Sequence, residues 1–178
     1  MADVSVRSAA ITDVGDIARI QVETWRVGYA EILPAAVLDQ LSVDTATAAW
    51  TDALSQPPTA RHHVLVALEQ QWVVGFAVLG PDDDPQPADP AIDTTSLVGP
   101  ILVEPRFGRR GHGSRLLAAC VDHARADGLT RAVAWLPEAD SVSRSFYGDA
   151  GWEADGFARV LDTGAGELRE VRIHTSLV

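Results

Sequence analysis

Residues 4–8, Val-Ser-Val-Arg-Ser, alternate apolar and polar side chains, which predicts a short strand. From Thr12, a candidate N-cap, the apolar positions Val14, Ile17, Ala18 and Trp25 recur at helical spacing, and the helix fades near Gly28-Tyr29. Pro34 can open a short second helix reaching Leu41. Ser42 or Asp44 can cap a third, which runs to about Leu54 and is stopped by Pro57-Pro58. The runs 63–68 and 72–79 read as two strands, and the short connector Glu69-Gln70-Gln71 makes them an antiparallel hairpin. About residues 80–94, rich in proline and aspartate, are expected to be a long mobile connection within one domain spanning 1–178. A strand over 97–103 follows, with an irregularity at Gly99-Pro100, where proline removes a ladder donor. The next helix, 111–127, turns Leu116, Leu117, Cys120, Val121 and Ala124 inward and ends at Gly128. A buried strand covers 132–136, and Asp140 or Ser141 caps a helix that Gly151 closes. Residues 152–161 and 167–178 read as a closing hairpin.

Composition narrows the classes of function. At 178 residues and 47% hydrophobic content the chain can build one real core. Its apolar runs are too short to span a bilayer, and the N-terminus lacks the basic and apolar regions of a signal peptide. The single cysteine, Cys120, excludes an intrachain disulfide framework and suggests a reducing compartment, so a cytoplasmic location is expected. A net charge of −11 argues against nucleic acid or anionic membrane as partner. All 14 basic residues are arginine. The absence of lysine rules out a Walker-type phosphate loop and a pyridoxal Schiff base. Arginine-only usage also hints at a GC-rich, bacterial genome.

Against that acidic background, Arg106, Arg109, Arg110 and Arg115 fall within ten residues. They surround a turn between the strand Ile101-Leu102-Val103 and a helix opened by Gly111-His112-Gly113-Ser114. A helix N-terminus leaves N–H groups unpaired and favours negative charge, and glycines let a phosphate approach the backbone. The segment therefore reads as a diphosphate site. It is not a Rossmann fingerprint, because Leu116 stands where the third glycine belongs and no acid follows at the required distance.

Three segments together resemble the GNAT superfamily of N-acetyltransferases. The first is Leu102-Val103-Glu104-Pro105 with Arg109-Arg110-Gly111-His112-Gly113-Ser114, similar to the family's V-x-P strand end and R-x-x-G-x-G pyrophosphate loop. The second is Asp140-Ser141-Val142-Ser143-Arg144-Ser145-Phe146-Tyr147 through Gly151-Trp152, similar to N-x-x-A-x-x-F-Y-x-x-x-G-F/W. The third is the strand Val73-Val74-Gly75-Phe76-Ala77. The resemblance implies an α/β fold with a central mixed, mostly antiparallel sheet of about seven strands flanked by helices, splayed between strands 4 and 5. It implies acetyl-CoA as acyl donor and a primary amine of a small molecule or peptide as acceptor.

On that resemblance, backbone groups of Ile101, Leu102 and Val103 would pair with the pantetheine arm, Arg109 to Ser114 would hold the pyrophosphate, and Asp140 and Ser143 would lie near the coenzyme. An N–H of Leu102 or Val103 could polarise the thioester carbonyl. Tyr147 would protonate the leaving thiolate, since a phenol of ordinary pKa about 10 keeps its proton at neutral pH. Trp25, Tyr29 and Glu31, between the first two helices, would cover the acceptor. No base is assigned: residues 97–102 hold no acid, and a water relay, Glu23 or Glu31 stay open. Gly108 and Asp140 depart from the family pattern, and a non-catalytic acyl-CoA sensor is the alternative reading. Cys120 and His123 lie one turn apart but read as core plus surface rather than as a metal site. His62 and His63 are expected to be exposed, and at His112 the backbone is expected to matter more than the ring. Exposed edge strands could support a homodimer.

Overall fold

The computed structural model describes residues 4–86, 89 and 94–178. Seven strands form one sheet: β1 (Val4–Ser8), β2 (His63–Glu69), β3 (Trp72–Pro81), β4 (Thr95–Val103), β5 (Arg131–Pro137), β6 (Glu153–Asp162) and β7 (Glu167–Ser176). The spatial order is β1-β2-β3-β4-β5-β7-β6, and only β4 and β5 run parallel. Five helices flank it: α1 (Val14–Gly28), α2 (Ala35–Asp39), α3 (Val43–Ser55), α4 (His112–Ala126) and α5 (Ser141–Asp149).

Period-two alternation splits the strands' side chains between two cores. On one face Val66, Phe76 and Leu102 meet Ile17 and Ile20 of α1, with Trp50 of α3 edge-on to Phe76. On the other, Leu65, Ala67, Ala77, Ala132, Ala134 and Ile173 meet Leu116, Leu117, Cys120 and Ala124 of α4, and Tyr147 and Trp152 at α5. Burial raises the Cys120 thiol to about 12, so it stays a protonated core side chain. Among the described residues no helix is long and apolar enough to cross a membrane, and no cluster could hold a metal.

Pairing between β4 and β5 is limited to Thr95↔Arg131, Ser96↔Ala132 and Leu97↔Val133. Beyond Leu97 the two strands part, while β4 continues to pair with β3 through Val103. The register of β3 against β4 shifts between Ala77 and Leu79, opposite Gly99-Pro100, so the expected irregularity is a bulge that bends β4 where the split begins.

Several local expectations are corrected. Thr12 is not the cap of α1: a 3-10 turn, Ile11–Asp13, precedes the helix, and Asp13 accepts the Ala10 N–H at 2.7 Å and pairs with Arg7. Strand β3 reaches Pro81, so Gly80 and Pro81 belong to the ladder rather than to the connection. Of the remainder of that connection, residues 87, 88 and 90–93 lie outside the described residues. Asp89 within it is bound to Arg172 and Arg131. His62 and His63 are half-buried, His63 pairing with Asp127 at 2.8 Å and stacking on His123.

Candidate active site

The turn between β4 and α4 is built by backbone shape first. Pro105–Phe107 form a 3-10 turn, Arg109 takes φ +59°, and Gly111 takes φ +81° immediately before the helix. Gly111 favours that left-handed geometry because a Cβ would clash there. No side chain caps α4. The N–H groups of its first turn therefore remain available, concentrated at the positive end of the helix dipole.

The arginines of this turn are not equivalent. Arg110 pairs with Glu69 at 2.7 Å, and Arg106 pairs with buried Glu104. Arg115 donates to the Arg110 carbonyl at 3.0 Å. Among the described residues Arg109 alone of the four has neither an ion pair nor a hydrogen bond, and it is exposed. At His112, where the backbone is expected to matter more than the ring, the ring is engaged as well: it is 2% exposed and its Nε2 lies 2.9 Å from Glu69 Oε2. Glu69, at the β2–β3 turn, thus fastens both Arg110 and His112, and this holds its carboxyl below the usual range. Ser114 is exposed on the first turn of α4, and Gly113 sits against Phe146. A groove of about 540 Å³ starts at Ser114 and runs between α4 and α5 along Leu117, Val121 and Phe146.

A larger cavity, about 620 Å³, occupies the split itself. Its floor is β4 from Leu97 to Leu102, facing Trp135 to Pro137 of β5. Trp25 and Tyr29 at the end of α1, with Leu33 and Val37, roof it, and Arg159, Leu168 and Glu170 of the β6–β7 hairpin close the side. Ser143, Phe146 and Tyr147 reach it from α5. Strand N–H groups alternate in direction. Because the Glu104 N–H bonds the Val74 carbonyl of β3 at 2.9 Å, Leu102 also points its N–H at β3. Ile101 and Val103 point theirs toward the split. Of the two donors expected from sequence, Val103 faces the opening and Leu102 does not.

Tyr147 is 3% exposed, packed edge-on between Phe146 and Trp152 at 5.2 and 5.0 Å. Burial drives its hydroxyl strongly upward, with smaller contributions from Cys120 and Tyr29. Tyr29 is itself pushed up to about 12, by burial first and then by Asp140 and Glu170. Both phenols therefore hold their protons at neutral pH. Asp140 spends its carboxylate on the helix: Oδ1 accepts the Ser143 N–H at 2.9 Å and Oδ2 the Ser143 hydroxyl at 2.7 Å. Glu31 is exposed and is not part of the cavity wall, and neither is Glu23, which pairs with Arg19 at 3.2 Å. Glu170 and Arg159 enter the wall without any local sequence signal. Only the register of β6 on β7, which pairs Arg159 with Glu170, could have found them.

Comparison with known proteins agrees with this arrangement. A model of the acetyltransferase (GNAT) family matches residues 19–152. The uncharacterized N-acetyltransferase YuaI of Bacillus subtilis is 30% identical over 145 residues, covering 81% of this chain and 77% of that protein. Among solved structures, PaiA N-acetyltransferase from Thermoplasma acidophilum in complex with coenzyme A has a TM-score of 0.72 at 16% identity, over 98% of this chain and 99% of that one. YncA of Salmonella typhimurium, solved with its cofactor acetyl-CoA, has a TM-score of 0.70 at 22% identity, over 98% and 94%. A sheet split between its two parallel strands, a glycine–arginine turn at a bare helix N-terminus and a family match across both segments lead to one conclusion: this chain belongs to the GNAT family of acetyltransferases.

Proposed function

We propose that the protein transfers the acetyl group of acetyl-CoA to a primary amine of a small molecule or peptide, by direct attack of the amine on the thioester. The observation that supports this best is continuity. One path runs from the cavity at Tyr147, along the unpaired edge of β4, to the bare first turn of α4. The residues along that path suit the coenzyme. Outward N–H groups of Ile101 and Val103 can pair with an extended amide chain as a neighbouring strand would. Backbone N–H groups of residues 112–114 and the free Arg109 suit a pyrophosphate.

Acetyl-CoA supplies an acetyl thioester already activated toward amines. When the amine nitrogen adds to the carbonyl carbon, negative charge develops on oxygen, and the N–H of Ile101 or Val103 is fixed in the split to receive it. As the carbon–sulfur bond breaks, Tyr147 is the acid of this cavity. Burial keeps it protonated but makes it a weaker acid than a free thiol, so its proton passes to sulfur in concert with that cleavage, and the proton shed by the amine nitrogen restores the phenol. Trp25, Tyr29 and Trp135 put aromatic surface beside the thioester.

Calorimetric titration with acetyl-CoA, with ATP and NAD as controls, tests the coenzyme reading; micromolar selective binding is expected. Thiol release with amine acceptors then tests the acid. Tyr147→Phe is expected to lower kcat roughly 100-fold while leaving the coenzyme Kd unchanged, the range of a lost general acid. Unaltered turnover would remove Tyr147 from the reaction.

A further inference from the structure

Three charged side chains of the cavity wall have no part in the chemistry above: Asp162, whose Oδ1 accepts the Gly164 N–H at 2.8 Å, and the pair Arg159 and Glu170. Arg159 of β6 and Glu170 of β7 are register partners, with Arg159 Nε donating to Glu170 Oε2 at 2.7 Å. Glu170 is buried, while Arg159 is half-buried. The Arg159 guanidinium lies over the Trp135 ring at 4.3 Å, which fixes its plane. Its other charged neighbour is the exposed Asp84 carboxylate, 3.8 Å from Nη1 and beyond hydrogen-bond length. A guanidinium has five N–H donors, and among the described residues only the one on Nε is spent here. Among the described residues the second carboxylate oxygen of Glu170 accepts no hydrogen bond. The cavity thus presents an open donor fork and an open acceptor oxygen on two side chains already in contact.

We propose that this pair reads the acceptor, and that the acceptor is a free α-amino acid with an apolar side chain. Its carboxylate accepts from the open Nη groups of Arg159, and its ammonium donates to the open oxygen of Glu170 and leaves a proton on that carboxylate before the neutral nitrogen attacks. The inference rests on the acetyl-transfer reading and narrows it to a substrate class. Three features carry the argument. First, Arg159 and Glu170 are in direct contact, so the ligand charges that answer them must be close. A single carbon links the amine and the carboxyl group of an α-amino acid, whereas an ω-amino acid or a long peptide separates them. Second, a polyamine or an aminosugar brings only positive charge; it could answer Glu170 and Asp162 but would leave the open fork of Arg159 facing a cation. Third, the remaining wall is apolar at Trp25, Leu33, Val37 and Leu168, which suits a hydrocarbon side chain. Position agrees as well. Tyr29, Tyr147 and Glu170 line the same cavity, so an amine at Glu170 shares it with the proposed acid.

The experiment uses the full chain with saturating acetyl-CoA and follows thiol release with matched acceptors. Leucine is compared with isoamylamine and phenylalanine with phenethylamine, each pair differing only by the carboxylate. Spermidine and a short peptide complete the set. The amino acids are expected to exceed their decarboxylated partners in kcat/KM by tenfold or more. In Arg159→Gln that ratio is expected to fall toward one through a rise in KM for the amino acid, with Arg159→Lys intermediate because it keeps the charge and loses the fork. The wild-type comparison needs no variant, so a misfolded mutant does not decide the matter. Equal or better turnover of the amines, the polyamine or the peptide overturns the substrate class and leaves acetyl transfer standing. Absence of thiol release with every acceptor, together with absence of acetyl-CoA binding, overturns the acetyl-transfer reading and this inference with it.

Discussion

Arg109 and Arg106 are three residues apart, yet their surroundings assign them different work. Arg106 is already neutralised by Glu104, whereas Arg109 has a full guanidinium to offer. Arg109→Gln should therefore weaken acetyl-CoA binding about tenfold or more, the worth of a charge-assisted hydrogen bond. Arg106→Gln should change it little. Calorimetry on the two variants checks the contrast, and equal losses would show that the turn acts only through its net charge. The distinction was invisible in the sequence, where both arginines flank the same glycines. Glu104 for Arg106 and Glu69 for the neighbouring Arg110 are brought in by the end of β4 and by the β2–β3 hairpin, while Arg109 is left without a carboxylate, and no local spacing encodes those meetings. For the same reason the buried ring of His112 could not be foreseen, whereas Tyr147 is singled out by the resemblance of one short local segment, 140–152. Glu170 and Arg159 lie 11 residues apart across a turn, and knowing that they touch requires knowing the register.

Helices and strands were largely readable because each carries its own period. The stripes of α1 and α4, and the apolar runs of β2, β3 and β5, depend only on neighbours a few residues away. Misjudged ends had tertiary causes. Pro81 remains in β3 because Ser96 pairs with it, and Asp13 rather than Thr12 sits at the start of α1 because Arg7 draws its carboxylate in. Close approach of β3 and β4 is a further property of elements. A Cβ at Gly75 would stand 2.7 Å from the Leu102 carbonyl oxygen and 3.3 Å from the Val103 Cα, both backbone atoms that cannot swing aside. Gly75→Ala should cost about 1–3 kcal/mol by overpacking. Urea denaturation measures the loss, and a variant as stable as the parent would mean that β4 can slide. The splay itself was expected from family resemblance rather than from pattern, but the bulge that starts it follows from Gly99-Pro100.

At the scale of the molecule, the fully buried Arg172 gathers distant segments. It bonds Asp89 of the β3–β4 connection at 2.6 and 2.7 Å and Asp155 of β6 at 2.8 Å, and Arg131 of β5 joins both carboxylates. The Arg172 hydrogen bonds hold the Asp89 carboxyl far below its ordinary value. A depressed folded pKa contributes stability that is complete above the unfolded value, about 3.9, and is lost as pH falls toward the folded one. Asp89→Asn should thus cost about 3 kcal/mol at pH 7, the scale for removing one partner of a buried pair. Its deficit against the parent should shrink as the pH is lowered below about 4. Denaturant titrations across that range test both parts, and a deficit independent of pH would assign the loss to packing instead.

The alternation of N–H direction along β4 has a consequence for the timing of hydrogen exchange. Amide protons of Leu102 and Glu104 are held by β3 and should exchange slowly, whereas those of Ile101 and Val103 look into the split and should exchange fast. A ligand lying along that edge would slow the second pair alone. Residue-resolved exchange would then show alternate positions of a single strand changing state, a protection pattern of period two that reports occupancy of the cleft one amide at a time.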